Sequence, residues 1–465
     1  MADIYKKDTR LEQTLEQKRY QNVLNSMKIT PKFLVIIGIL MIIMLLSSFQ
    51  VWEQLELGLG LTGMSDRVIY GLYITNFVFW IGVSHAGMFI TGILRVTNAE
   101  WRTPVTRMAE SITIFALIVG AINIFIDMGR LDRIFNVIWY GRFQSPIFWD
   151  FLSIGTYFAG SLFFLYLALV PDLAILRDRT KNQSKIRHNF YRLLAARYVG
   201  TQIQEKFLNK ALTLLPFIII PVAVSVHTVV SWIFSMTWRP GWYSTIFGPY
   251  FLVGAIYSGI AAVILAMYVF QRYYHLEEFL TDEHFVKLSK LLIIFAMLYF
   301  YFSVSEYLTI AFTHHLEEWE LLLSLFYGDY AWLFWFFWFP GLIIPGLILI
   351  YPKTRTKNWI IFATILINIG MWLKRYLIII PTLSTPIVSG DEWAWYLPTL
   401  TEIGITIGGF AFFIFMYAVF TKIFPIISMW EMIEHEEKEE QEKKGKSTTS
   451  EESGVLNTGT SVSGD

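Results

Sequence analysis

The chain has 465 residues, 55% of them hydrophobic and 16% charged, and its 37 basic residues balance its 37 acidic ones. Soluble domains carry about 25% charged residues, so this composition marks a polytopic membrane protein, and zero net charge points to no particular partner. Cysteine is absent, which excludes disulfides, thiolate metal sites and any iron–sulfur cluster held by this chain.

The polar first 32 residues, with seven Lys and Arg, read as a helix on the membrane surface. They are too long and too mixed in charge for a signal peptide, so the first apolar run is expected to stay as a helix. Crossing a hydrocarbon core of about 30 Å takes roughly 20 apolar residues. Ten runs qualify, near 33–50, 68–94, 108–127, 147–170, 212–236, 246–270, 291–312, 331–351, 359–380 and 398–420. The link 171–211 holds nine Lys and Arg with the periodicity of a surface helix, and the tail from Met429 is charged, then rich in Ser, Thr and Gly, as disordered tails are. An even number of spans puts both termini on one face, A. That face collects 30 of the 37 basic residues, and the opposite face, B, the other seven. By the positive-inside rule A is the cytoplasm.

A partial echo relates Ser145 to Gly160 and Ser244 to Gly259, which share S-x-I-F and two glycines five residues apart. Either a bundle duplication or small-residue helix packing would produce it.

Ionisable residues inside spans cost about 2.5–3.5 kcal/mol each at the helix centre and call for an explanation. Asp66, Asp127 and Asp150 are expected at similar depth near face B, beside Arg130. Carboxylates at the edge of an aromatic, apolar pocket suit a lipophilic substrate that gives up protons, and a quinol is one; headgroup-level solvation is the competing explanation. His85 lies 19 residues beyond Asp66, about 28 Å along one helix, so the two cannot share a small pocket. Gly82 and Gly87 flank it, permitting close approach of another helix. His85 reads as a proton-relay member or as a neutral histidine bonded to backbone. His227 raises the question of a transmembrane haem, but its depth differs from that of His85 by about 7–8 Å when counted from helix ends. Glu306, Lys374 and Arg375 are buried polar candidates toward face B, forming with His227 a second polar path or a self-satisfied charge pair. No Walker loop, dinucleotide-binding glycine pattern or H-E-x-x-H motif occurs, so ATP, nucleic acid and zinc-peptidase chemistry are set aside.

The stretches DRVIYGLYITNFVFWIGVSHAG, AEWRTPVTRMAESITIFAL, SPIFWD, PDLAILRD, HTVVSWIF and PGWYSTIFGPYFLVGAIYSG together resemble the quinone-interacting membrane subunit of the NrfD/PsrC type, as it occurs in alternative complex III. The resemblance covers nearly all of 65–420. It implies an all-α polytopic fold of about ten transmembrane helices, with two four-helix bundles and peripheral helices: surface segment 1–32, first span and connection 33–64, bundles 65–237 and 238–380, last span 381–428, tail 429–465. It further implies a subunit without a metal or cofactor of its own, in the bacterial inner membrane with cytoplasmic termini. Such a subunit oxidises menaquinol or ubiquinol near the periplasmic face and passes electrons to an iron–sulfur partner, in a complex with haem c subunits and a homologous membrane subunit. Within that complex the resemblance is to the larger, quinol-binding copy, with its sister as the alternative. Asp66, His85 and Asp150 fall in the shared stretches around the quinol site and first polar path; Asp127 and Arg130 are added from depth. A secondary transporter and a structural anchor for extrinsic subunits remain as other classes.

Overall fold

A computed structural model describes residues 23–97, 99–181, 184–386 and 391–433. Among them there is no strand, and ten helices are long and apolar enough to cross a membrane. In chain order these are α1 (Pro31–Leu57), α2 (Leu72–Val96), α3 (Thr103–Met128), α4 (Pro146–Thr180), α5 (Gln202–Ser235), α6 (Phe247–Tyr273), α7 (Asp282–Thr313), α8 (Ala331–Ile350), α9 (Lys357–Ser384) and α10 (Leu400–Ile423).

Local chemistry sets the ends. The Thr30 hydroxyl accepts from the Phe33 amide one residue ahead of Pro31, and Thr201 and Thr399 form capping boxes with Gln204 and Glu402. Gly129, in the left-handed region at φ 63°, closes α3. Inside α8, Pro340 lacks the amide that an α-helical ladder needs, and Phe337–Ile343 is wound as a π-helix.

Two expectations about ends are corrected. Helix α2 begins at Leu72, so Asp66 precedes it rather than starting it. Helices α4, α5 and α7 run beyond their apolar cores on face A, to Thr180 and from Gln202 and Asp282. Hydropathy marks only the part facing hydrocarbon, whereas capping decides where the helix stops.

Helix α2 is the axis of the packing. Its apolar window is 94% buried, against 11% for α1. It runs along α3 and α6 and also touches α5, α9 and α10; α4 packs on α5, α6 on α7 and α9, α8 on α9, and α1 on α10. The two echoed stretches therefore meet different surroundings. A Cβ on Gly155 would meet open space, while one on Gly254 would fall against Tyr299 and Arg375.

After α10 the chain turns back under the bundle. Ile426, Ile427, Ser428, Met429 and Ile433 are buried, which corrects the expectation that disorder begins at Met429. The remaining tail (434–465) and residues 1–22 of the surface segment lie outside the described residues.

Candidate functional sites in the helix bundle

At face B, α3 ends and α4 begins with a carboxylate each. Asp150, in the second turn of α4, is 6% exposed and its Oδ1 has no hydrogen-bond partner. Asp127, next to last in α3, also has a buried Oδ1 without a partner. It lies close enough to Tyr70, in the segment before α2, to add to the rise in that hydroxyl's pKa that burial causes. In the chain just ahead of Asp150 the rings of Phe143, Phe148 and Trp149 form a cluster, with centroids 5.5–6.1 Å apart, and Phe143 and Trp149 remain 70% and 43% exposed.

The other two residues expected here lie elsewhere. Asp66 is exposed, in the loop between α1 and α2, because the helix that was to bury it begins six residues later. Arg130 makes a bidentate pair with Asp132 at 2.9 and 2.8 Å, both about 60% exposed, and holds that carboxyl below its ordinary pKa. Its nearest carboxylate in the chain captures it, so it does not compensate Asp127 or Asp150.

Deeper in, His85 and His227 meet. Their facing nitrogens, His85 Nε2 and His227 Nδ1, are 3.0 Å apart, and the ring centroids 3.9 Å. The expected depth mismatch is overturned, and with it the placing of the two in separate paths. The depth argument against a haem falls with it; in its place, the facing nitrogens bond each other directly. His85 Nδ1 faces the Ile81 carbonyl at 2.7 Å and its Nε2 also faces that of Ala223 at 2.8 Å, while His227 Nε2 is buried with no partner. The Tyr157 ring lies 4.8 Å from His85, and its hydroxyl donates to the Ser84 carbonyl, as does that of Thr113. Gly87 permits this closeness: a Cβ there would stand 2.0 Å from Thr113 Oγ1 and 2.1 Å from the Ala109 carbonyl oxygen. At Gly82 the nearest atoms of α6 lie at 3.6 Å, an ordinary contact.

Between α7 and α9, Lys374 Nζ donates to Glu306 Oε2 at 3.0 Å and to the Tyr307 hydroxyl at 2.6 Å, under the rings of Tyr250 and Phe337. Lys374 is 1% and Glu306 8% exposed. The neighbouring Arg375 points about 100° away around the helix. It faces α6, stacked 4.9 Å over Phe251, and its Nη2 lacks a partner. The hydroxyls of Tyr257 and Tyr299 are likewise buried without partners. The Lys374–Glu306 contact is compatible with either arrangement expected from the sequence, a polar path or a charge pair; the unsatisfied groups alongside it carried no sequence signal.

Two buried clusters escaped the sequence reading altogether. Glu402, fully buried at the start of α10, accepts from the Tyr396 hydroxyl at 2.6 Å, the Gly63 amide at 2.8 Å and the Thr399 amide at 3.0 Å. It ties the loop before α2 to the one before α10. The Thr-x-x-Glu spacing opening an apolar run was the available signal. On face A, Arg107 is paired with Asp172, donates to the Ala168 carbonyl at 2.7 Å and to Ser428 Oγ at 3.2 Å, and Asp172 Oδ1 accepts from the Trp430 amide at 3.0 Å. Glu431 bridges Arg95 and Arg102 at 3.2 and 3.1 Å. Arg107 and Asp172 both sit inside stretches quoted above for the resemblance. Among the described residues no group of three or more His, Cys, Asp and Glu could hold a metal ion.

Comparison with known proteins gives this arrangement a family. The chain is 26% identical over 395 residues to a putative dimethyl sulfoxide reductase membrane subunit of Halobacterium salinarum, covering 80% of this chain and 86% of that one. It is 25% identical over 395 residues to the Hdr-like menaquinol oxidoreductase integral membrane subunit of Archaeoglobus fulgidus, covering 79% and 88%. With the integral membrane subunit of a menaquinone reductase from Nitratidesulfovibrio vulgaris it shares 22% over 392 residues, covering 77% and 83%. The family model described as polysulphide reductase, NrfD, matches residues 60–387, from the loop before α2 to the end of α9, and the chain belongs to that family.

Proposed function

We propose that the chain is the membrane subunit of a bacterial quinol oxidoreductase complex, of the alternative complex III type, that oxidises menaquinol or ubiquinol at face B. The observation that carries this reading is Asp150: a carboxylate buried at the membrane edge, with one oxygen unsatisfied, beside lipid-accessible aromatic rings. A buried acceptor without a donor costs about 1–3 kcal/mol, so a ligand hydroxyl that completes it is favoured. The quinol head donates an O–H to Asp150, while its tail stays in lipid past Phe143 and Trp149. As the two protons leave, two electrons pass to an iron–sulfur cluster in a partner on face B, the periplasmic side by the basic-residue count, with haem c subunits beyond it. Quinone is the product. Exposed Asp66 hands protons to water rather than touching the quinol. Relatives named for menaquinol and menaquinone support the substrate class.

A quinone-analogue inhibitor should bind the purified complex at one site, and Asp150→Ala should weaken it at least tenfold. Solute uptake by the isolated chain without quinone binding would favour a transporter instead, and absence of any binding would favour an anchor or the sister subunit.

A second reading concerns protons that cross the membrane. The His85–His227 contact, the orphaned His227 Nε2 and the Lys374–Glu306 pair with unsatisfied tyrosines nearby support a polar path through α2, α5, α6, α7 and α9. Proteoliposomes should then show a lower proton-to-electron ratio for His227→Leu or Glu306→Gln, and an unchanged ratio would remove this reading.

A further inference from the structure

We propose that the connection between α4 and α5 is a binding site for anionic phospholipid headgroups, lying in the plane of the face-A membrane surface. It contains a helix, Lys185–Leu194, started by Ser184, whose hydroxyl accepts from the Arg187 amide. At about 100° per residue this helix has three faces. One is fastened to the protein: Tyr191 is buried and its hydroxyl donates to the Ile423 carbonyl at 2.9 Å, and the Leu194 carbonyl accepts from the Tyr166 hydroxyl at 3.0 Å. The second presents Lys185, Asn189 and Arg192, all exposed. The third presents Ile186, Phe190 and Leu193, exposed by 83%, 42% and 78%.

Beyond the helix Val199 is exposed by 55%, and Ile203, Phe207, Leu214 and Phe217, at helical spacing and exposed by 70%, 69%, 54% and 56%, form one outward stripe of α5 that enters its apolar core. The outer side of a transmembrane helix meets acyl chains, so the chain just ahead of α5 lies at the bilayer's own boundary. A helix with one apolar and one basic face lies there with its charges at headgroup level. Between Ser184 and Lys210 there are six Lys and Arg and one acidic residue, Glu205. Lys206 and Lys210 are exposed beside the apolar stripe, where their stems follow hydrocarbon and their ammonium groups reach outward. The charge complementarity selects phosphatidylglycerol or cardiolipin over zwitterionic lipid, by about fivefold per basic side chain at the surface.

The test uses the purified complex, exposed to equal phosphatidylglycerol and phosphatidylcholine and examined by native mass spectrometry. Wild type should retain phosphatidylglycerol preferentially. The variant Lys185→Gln/Arg192→Gln/Lys206→Gln/Lys210→Gln should lose that preference at least tenfold while its quinol oxidation is unchanged. Equal retention in both proteins, or no preference in wild type, overturns the proposal. A photoreactive residue at position 186 or 193 in native membranes provides the second arm: lipid adducts are expected, and adducts to a protein would replace the lipid with a partner subunit.

Discussion

Asp66 and Asp150 look alike in the sequence, each a carboxylate at the face-B edge of an apolar run, and a helix end separates them. Asp150 follows Pro146 by one turn and is carried inside; Asp66 precedes the start of α2 and stays in water. The buried pair between α7 and α9 depends on its two members jointly. Replacing Lys374 with Met leaves the Glu306 carboxylate and the Tyr307 hydroxyl without their donor, which should cost about 3–5 kcal/mol, read as a lowered Tm of the purified complex. Adding Glu306→Gln should recover most of that loss, and a double variant as unstable as the sum of both singles would contradict the coupling. That these residues were buried and polar was legible from their place in apolar runs. That His85 and His227 touch was not. Counting from helix ends assumes that the ends are level, yet α5 begins at Gln202, ten residues or about 15 Å before the expected start, and Pro216 and Pro221 interrupt its ladder. Nothing in a hydropathy pattern records such offsets.

At the level of elements, the attachment of α1 is the clearest case of close packing. This helix is nearly all exposed and packs on α10 along a seam where Gly404 and Gly408 face Gln50 and Ser47, with buried Gln54 bonded to Tyr73 of α2 and the Ile126 carbonyl of α3 at its far end. A Cβ on Gly408 would stand 1.9 Å from Ser47 Oγ. In lipid, helices associate through such small-residue contacts rather than through a hydrophobic drive. Gly408→Val should therefore loosen α1 specifically, lowering the yield of a disulfide engineered between α1 and α10 while α2 to α9 keep their thermal stability; an unchanged cross-linking yield would contradict the seam. The ten spans were readable because each must present about 20 apolar residues to the bilayer. Their helical ends were not, because Thr201–Gln204, Thr281–His284 and Thr399–Glu402 begin three helices through local hydrogen bonds, two of them well outside the apolar core.

For the whole molecule, the two faces are built differently. Face A is closed by the chain itself: Arg107 and Asp172 grip Ser428 and Trp430, and Glu431 is held between Arg95 and Arg102. Truncation after residue 433 should leave Tm and quinol oxidation unchanged, whereas truncation after residue 423 should lower Tm by several degrees, because it removes the Ser428 and Trp430 partners of the buried Arg107–Asp172 pair; equal stability of the two would show the returning segment to be dispensable. The composition made this segment look like the start of the charged tail, since the charged run from Glu434 follows Glu431 within three residues, and only the partners on α2, α3 and α4 reveal why it is buried. At face B, by contrast, buried Asp127 and Asp150 each hold an unsatisfied oxygen at the ends of α3 and α4. Steady-state quinol oxidation by the purified, fully assembled complex tests that contrast most directly. Asp150→Asn should lower kcat about 100-fold or more, as loss of a proton acceptor does, while Asp66→Asn stays within about threefold of wild type; an Asp150→Asn complex turning over at the wild-type rate would contradict the site.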